Sequence, residues 1–326
     1  MTGALHVTNG DCAEERLRET GLVREILSWR DVLHEGPVPA VGATELRRVR
    51  AAFLAGAGAA DMGALDDLAE RDRMLEDHRD GEYVLWFEAD LYDQLQVLQI
   101  LATLSELGVP PARITLICIG EYPGIAHFGG LAELTPDQLG GLPAAAATPL
   151  TASALQAATR AWAALRATEP TALGAIAASP SPELRFVAEA FDRLSREYPS
   201  TRDGLSLTER RILAAVAEGA SSAGDAFVRT GAREARPFLG DTWSFDAMQR
   251  LAEAPAPLLD VEPATRRVDR HTRLHLTAAG RRVLDGEQDH VVLNGVDRWI
   301  GGVHLQGHAV EWRWHEGAEA IIVQGA

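Results

Sequence analysis

At 326 residues the chain is long for one hydrophobic core, so two or three domains are expected; its 46% apolar and 24% charged residues are ordinary for a globular protein. All 31 basic residues are arginine, which excludes Schiff-base chemistry on a lysine and a Walker A phosphate loop. Acidic side chains outnumber basic ones 24 to 11 in residues 1–149, so that half should repel a nucleic-acid backbone unless a metal intervenes. Only residues 206–290 are rich enough in arginine to meet phosphates.

The first 130 residues alternate strand and helix signals. Short apolar runs at Leu5–Thr8, Glu25–Trp29, Tyr83–Phe87 and Ile114–Ile119 read as buried strands. Between the last two, Leu91, Leu95, Leu98, Leu101 and Leu104 recur every three or four residues, which predicts a helix over Asp90–Leu107. This alternation predicts a Rossmann-like α/β domain with a parallel sheet. No GxGxxG follows the first strand, so a standard dinucleotide fingerprint is missing.

Residues 131–200 read as a helical connector, with Leu155, Ala158, Trp162 and Leu165 on one stripe. The alanine-rich "GGLPAAAATPLTAS" reads as a linker. Residues 201–290 read as a winged-helix-like α+β domain. Its first helix lies in "LSLTERRILAAVAEG" with Thr208 as N-cap, and "SFDAMQRLAEA" takes the recognition position. "PLLDVEP" and "RLHLT" are the wing strands, with "ATRRVDRHT" between them. Residues 291–326 read as a β appendage, and "HVVLNGVD" already looks β-like. No run approaches the ~18 apolar residues of a membrane span, and the N-terminus lacks a signal-peptide pattern. Two cysteines are too few for a disulfide framework and no Cys/His cluster has zinc-finger spacing. A cytoplasmic protein with no membrane partner is expected.

Several phrases carry a family resemblance. "LHVTNGDCA", "SWRDVLHEGPVP", "LWFEADLYDQLQVLQIL" and "IGEYPGIAHFGGL" resemble the bacterial domain of unknown function 1835 family. "YPSTRDGLSLTERRIL", "LTAAGRRVL" and "LNGVDRWIGGVHLQG" are similar to the C-terminal half of its longer members. The resemblance implies a bacterial intracellular protein and names no activity. It also implies serine at the position of Cys12, which weighs against a dedicated thiol role there.

In a parallel α/β sheet, ligands sit beyond the carboxyl ends of the strands. Reading those ends gives Asn9, Gly10, Asp11 and Cys12, then Arg30 and Asp31 with His34 and Glu35, then Glu88, Asp90, Asp93 and Gln94, then Gly120, Glu121 and Tyr122. Asp11 with Glu14 equally fits a capping box, which needs no ligand. Cys12 at a helix start is a nucleophile candidate, but a buried small residue is the favoured reading. His34 is the best general acid/base of the set, with Asp31 and Glu35 beside it as catalytic candidates.

Two chemistries follow. The helix start at Gly10, completed by Arg30, would bind the anion of a phosphorylated or nucleotide-like small molecule. Alternatively Asp11, Asp31, Glu35, Glu88, Asp90 and Glu121 would hold Mg²⁺ or Mn²⁺ in a metal-dependent phosphoesterase or nuclease-like enzyme. No motif names a cofactor, and Mg²⁺ or Mn²⁺ is the one candidate. A third reading is a DNA-binding regulator using Arg266, Arg267, Arg270 and Arg273, though "SFDAMQRLAEA" is short of base-reading side chains and a protein partner fits as well. Ligand binding, with the C-terminal half as an interaction module, is the leading expectation.

Overall fold

A computed structural model of the chain describes residues 3–57, 63–263 and 267–324. It divides into two compact units, residues 1–191 with Gly301–Val303, and residues 192–300 with 304–326.

The first unit holds β1 (Ala4–Thr8), α1 (Asp11–Glu19), β2 (Glu25–Ser28), α2 (Ala43–Gly56), α3 (Ala64–Asp77), β3 (Glu82–Glu88), α4 (Leu91–Glu106), β4 (Ile114–Ile119), α5 (Pro136–Ala146), β5 (Ala147–Pro149), α6 (Ala152–Arg166) and α7 (Leu173–Ala177). The strands form one sheet in the order β2-β1-β3-β4-β5. The first four run parallel, and β5 joins β4 antiparallel at the edge, Thr115 opposite Pro149. The unit is thus mixed α/β, with a mostly parallel sheet flanked by helices.

Burial on both faces explains the apolar run of β3, where Tyr83 to Phe87 are all buried. On one face Ala13 and Leu17 of α1 and Leu139 and Leu142 of α5 pack with Val84, Trp86 and Ile117. α4 packs against β3 and α6, and twelve of its side chains are buried. Four of these are polar, and each is hydrogen-bonded to a neighbouring strand end or loop, although the Gln96 Oε1 is buried with no partner among the described residues. Gln96 Nε2 donates to the Asp31 carbonyl at 2.9 Å and Gln99 Oε1 accepts from Trp29 Nε1 at 2.8 Å. Asp93 and Gln94 face the end of β3.

The "GGLPAAAATPLTAS" stretch is not a linker. It contains the end of α5, all of β5 and the start of α6, whose N-cap Thr151 accepts from the Ala154 N–H. Alanine and proline give no strand signal, and only the open edge of β4 makes β5 a strand.

α8 (Val187–Ser195) runs across the boundary between the units. The second unit contains α9 (Leu207–Ala217), α10 (Ala223–Gly231), α11 (Asp241–Glu253), β6 (Leu259–Glu262), β7 (Arg273–Leu276), α12 (Ala278–Leu284), α13 (His290–Asn294), β8 (Val296–Ile300), all of β9 (Val303–Gly307) but its first residue, β10 (Trp312–His315) and β11 (Ala320–Val323). Ile212, Leu213, Met248, Leu251, Leu274 and Val283 share its core. β6 and β7 pair antiparallel, Leu259 opposite Leu276.

Two local expectations fail here. The N-cap of α9 is Ser206, in a capping box with Glu209; Thr208 is instead buried, its hydroxyl donating to Glu197 at 2.6 Å. "HVVLN" is not a strand: Asp289 caps it as α13, and Gly295 at φ 73° ends the helix before β8. A strong cap thus overrides the β preference of paired valines. Glu197 is fully enclosed; burial alone would raise its carboxyl, but Arg298 and Arg193 outweigh that and hold it far below its usual range. Among the described residues no helix is long and apolar enough to cross a membrane.

Candidate functional site

A cleft of about 510 Å³ opens over the carboxyl ends of β1 and β2, lined among others by Asn9, Gly10, Ser28, Arg30, Arg71 and Tyr92. The chain leaves β1 at Thr8, passes an extended Gly10 and enters α1 at Asp11 with no side chain capping the helix. Asp11 sits one position too late to cap, and Glu14 is engaged elsewhere, so the expected capping box is not formed. Asp11 pairs with Arg30 at 2.5–2.6 Å. Glu14 accepts from Ser28 Oγ at 2.5 Å and from Arg18. Burial would raise the Glu14 carboxyl, but Ser28, Arg18 and Arg30 together hold it below its ordinary value. The start of α1, at Gly10 and Asp11, thus lines the cleft with no side chain capping it among the described residues, the arrangement that favours anions.

Arg71 reaches the cleft from α3. It is buried, its guanidinium carbon lies 3.9 Å from the centre of the Trp29 ring, and Nε and Nη2 donate to Asp72 Oδ1 at 2.9 and 2.7 Å. Its Nη1 is buried with no hydrogen-bond partner among the described residues.

Beside the cleft lies a carboxylate cluster. Glu88 ends β3, Asp90 is the N-cap of α4, and Asp93 is on its first turn; one oxygen of each lies within 4.8 Å of the others. Asn9 Nδ2 donates to both Asp93 oxygens at 2.9 and 3.1 Å, and the Glu88 N–H donates to Asp93 Oδ2 at 2.5 Å. The Leu131 N–H donates to Glu88 Oε1 at 2.6 Å. A Cβ at Gly130, which has φ 142°, would stand 2.6 Å from Glu88 Oε2, so the loop closes over this carboxyl only with glycine. Burial first, then the Asp90 charge, pushes Glu88 up to about 8. Burial, Glu88 and Asp90 raise Asp93 well above its ordinary value. These three are the described carboxylates placed to hold a divalent cation or to store a proton. Asn9 joins cluster and cleft, since its carbonyl also accepts from Tyr92 Oη at 3.2 Å.

The other sequence candidates are dispersed. Asn9, Gly10, Asp11 and Arg30 line the cleft, and Asp93 and Gln94 belong to the cluster, Gln94 Nε2 donating to the Glu88 carbonyl at 2.6 Å. Cys12 is exposed, not buried as expected, and does not line the cleft. Asp31 is fully buried in an ion pair with Arg50 at 2.7 Å and stands apart from the carboxylate cluster. Arg50 also donates to the carbonyls of Val32 and Glu35, each at 2.8 Å, and so braces the "DVLHEGPVP" loop. His34 and Glu35 are buried within that loop, His34 edge-on to Tyr92 at 5.9 Å. Past Gly120, Glu121 is exposed and Tyr122 packs with Ile125 and Phe128 against the core around Leu131. Sequence reasoning missed Ser28, Arg71 and Tyr92. Tyr92 lay inside a quoted phrase, between Asp90 and Asp93, whereas nothing marked Arg71 out among the arginines.

No protein-family model matches the chain, and no curated protein matches it.

Proposed function

We propose that the chain is a cytoplasmic ligand-binding protein, with the cleft over β1 and β2 taking a phosphorylated or nucleotide-like small molecule. The observation that carries this reading is the convergence of three anion-favouring features on one cleft. They are the uncapped start of α1, Arg30, and the buried Arg71. Tyr92 and the Asp11 and Asp67 carboxylates on the same lining suit the ring and hydroxyls of a nucleoside. The cleft's size also falls within the ~300–1,000 Å³ of small-molecule sites. The test is calorimetric titration with inorganic phosphate and adenosine 5′-monophosphate. The nucleotide should bind the tighter of the two, and Arg30→Ala should weaken it about tenfold, the loss expected for one charge-assisted contact. Saturation by neither probe at millimolar concentration removes the reading.

A second reading, a metal-dependent phosphoesterase, is favoured by the three clustered carboxylates. It predicts Mg²⁺ or Mn²⁺ binding that is lost in Asp93→Asn; binding unchanged in that variant, or none at millimolar metal, removes it.

For the second unit we propose a winged-helix-like interaction module, with α9 to α11 as its helices and β6–β7 as its wing. This is the part of the chain where the likeness to longer members of the domain of unknown function 1835 family would apply. A protein partner is favoured over DNA. Arg250, the basic side chain of α11, is engaged by Asp246, and Arg273 on the wing lies 3.8 Å from Glu262. Of the other wing arginines, Arg266 lies outside the described residues, while Arg267 and Arg270 precede β7.

A further inference from the structure

The first unit contains another cavity, of about 260 Å³, lined among others by Trp29, Leu46, Arg47, Arg71, Trp162 and Arg166. These residues come from α2, α3, α6 and the end of β2, and Gln99 and Thr103 add the C-terminal half of α4. We propose that this cavity is a second ligand site, separate from the cleft over the strand ends, that takes a small organic anion: a carboxylate or phosphate group on a compact apolar body.

Charge and unmet hydrogen bonding argue for an anion. Arg50 on the lining is satisfied by Asp31 and by loop carbonyls. Arg47 and Arg71 are not so provided for, because they share one carboxylate. Asp72 Oδ1 accepts from Arg71, and Asp72 Oδ2 lies 3.1 Å from Arg47 Nε in poor hydrogen-bond geometry. Arg71 is only 6% exposed and keeps one buried nitrogen without a partner among the described residues. Such an atom carries a desolvation cost that an incoming acceptor would remove. Arg166, stacked 5.3 Å from the Trp162 ring, donates to the carbonyls of Pro39 and Val41, which are neutral acceptors. The lining thus places the guanidiniums of Arg47, Arg71 and Arg166 around the cavity, with the Asp72 carboxylate shared by the first two. The other lining carboxylates, Glu76 and Glu106, are exposed to solvent, which screens them, though Glu106 still acts on Arg166.

The rest of the lining argues for an apolar body. Leu46, Leu68, Leu107 and the two indoles form its walls. The volume lies just below the range of drug-sized sites, so the occupant is smaller than the nucleotide proposed for the cleft. Arg71 and Leu68 belong to both linings, so the one unpartnered Arg71 nitrogen counts for only one of the two occupants, but Arg47, Leu46 and Arg166 line only this cavity and Arg30 only the cleft. The two sites can therefore be tested apart.

The experiment titrates phenyl phosphate and benzoate into the full chain by calorimetry, with tryptophan emission followed in parallel because Trp29 and Trp162 wall the cavity. At least one probe should bind saturably with a change in tryptophan emission, and the relative affinities read that way decide between phosphate and carboxylate. Arg47→Ala should weaken that binding about tenfold, and Leu46→Trp, which fills the cavity, should abolish it. Arg30→Ala, which weakens the cleft, should leave that emission change in place. Should Leu46→Trp fail to fold, Arg47→Ala, at a partly buried position, decides alone. Absence of saturation by either probe overturns the proposal. So does binding that survives Arg47→Ala, and binding lost in Arg30→Ala belongs to the cleft.

Discussion

Glu88 sets a pH dependence whose sign follows from its surroundings. Its ordinary value is 4.5, and in the folded chain it is pushed up to about 8. Between those values the folded protein holds a proton that the unfolded chain has released. Stability therefore falls as pH rises through that interval, by up to ~1.4 kcal/mol per pH unit, and levels off above the folded value. Glu88→Gln keeps an acceptor for the Leu131 N–H and removes the titration. Urea unfolding at a series of pH values should show a falling profile for the wild type and a flatter one for the variant; parallel profiles would contradict the placement of Glu88. The two thiols differ in the same physical way. Cys12 is exposed, whereas burial first and foremost pushes the Cys118 thiol far up. A thiol reagent should label one cysteine quickly and the second only on unfolding, and Cys12→Ser should retain wild-type stability. Two fast-reacting thiols would refute this.

Among the elements, the loop after β2 tests how its brace works. Gly36 has φ 73°, and a Cβ there would lie 2.5 Å from the Phe53 ring of α2. Gly36→Ala should destabilise the first unit by ~1–3 kcal/mol, read as a lower denaturant midpoint at unchanged slope; an unshifted midpoint would mean the loop does not pack on Phe53. Much of the first unit was legible because its signals are local. The leucine spacing of α4 and the apolar runs of β1, β3 and β4 each show in a short window. β5 was illegible because alanine and proline form a strand only where a neighbour offers an open edge. α13 was misread because two valines outweighed the Asp289 cap. The site divides similarly. Asn9, Gly10 and Arg30 follow from the strand-end rule. Arg71 does not, because its approach to the cleft depends on how α3 packs. Asp31 looked catalytic because its partner, Arg50, lies nineteen positions along the chain in α2.

For the whole molecule, a net charge of −16 opposes any nucleic-acid backbone. Full-length protein is expected to show no appreciable duplex DNA binding at physiological salt in a fluorescence anisotropy titration. Sub-micromolar binding that falls in Arg267→Ala/Arg270→Ala would instead make the second unit a DNA reader. In the proposed ligand-binding role of the cleft over β1 and β2, the defining contact would be between a phosphate and the first turn of α1. Amide spectra of ¹⁵N-labelled full-length protein, recorded as adenosine 5′-monophosphate is added, report on that contact directly. The predicted result is that the largest saturable shifts fall on the backbone amides of Asp11, Cys12 and Ala13, together with the Arg30 side-chain Nε. Saturable shifts that leave those amides in place, or no shifts at millimolar nucleotide, would contradict it.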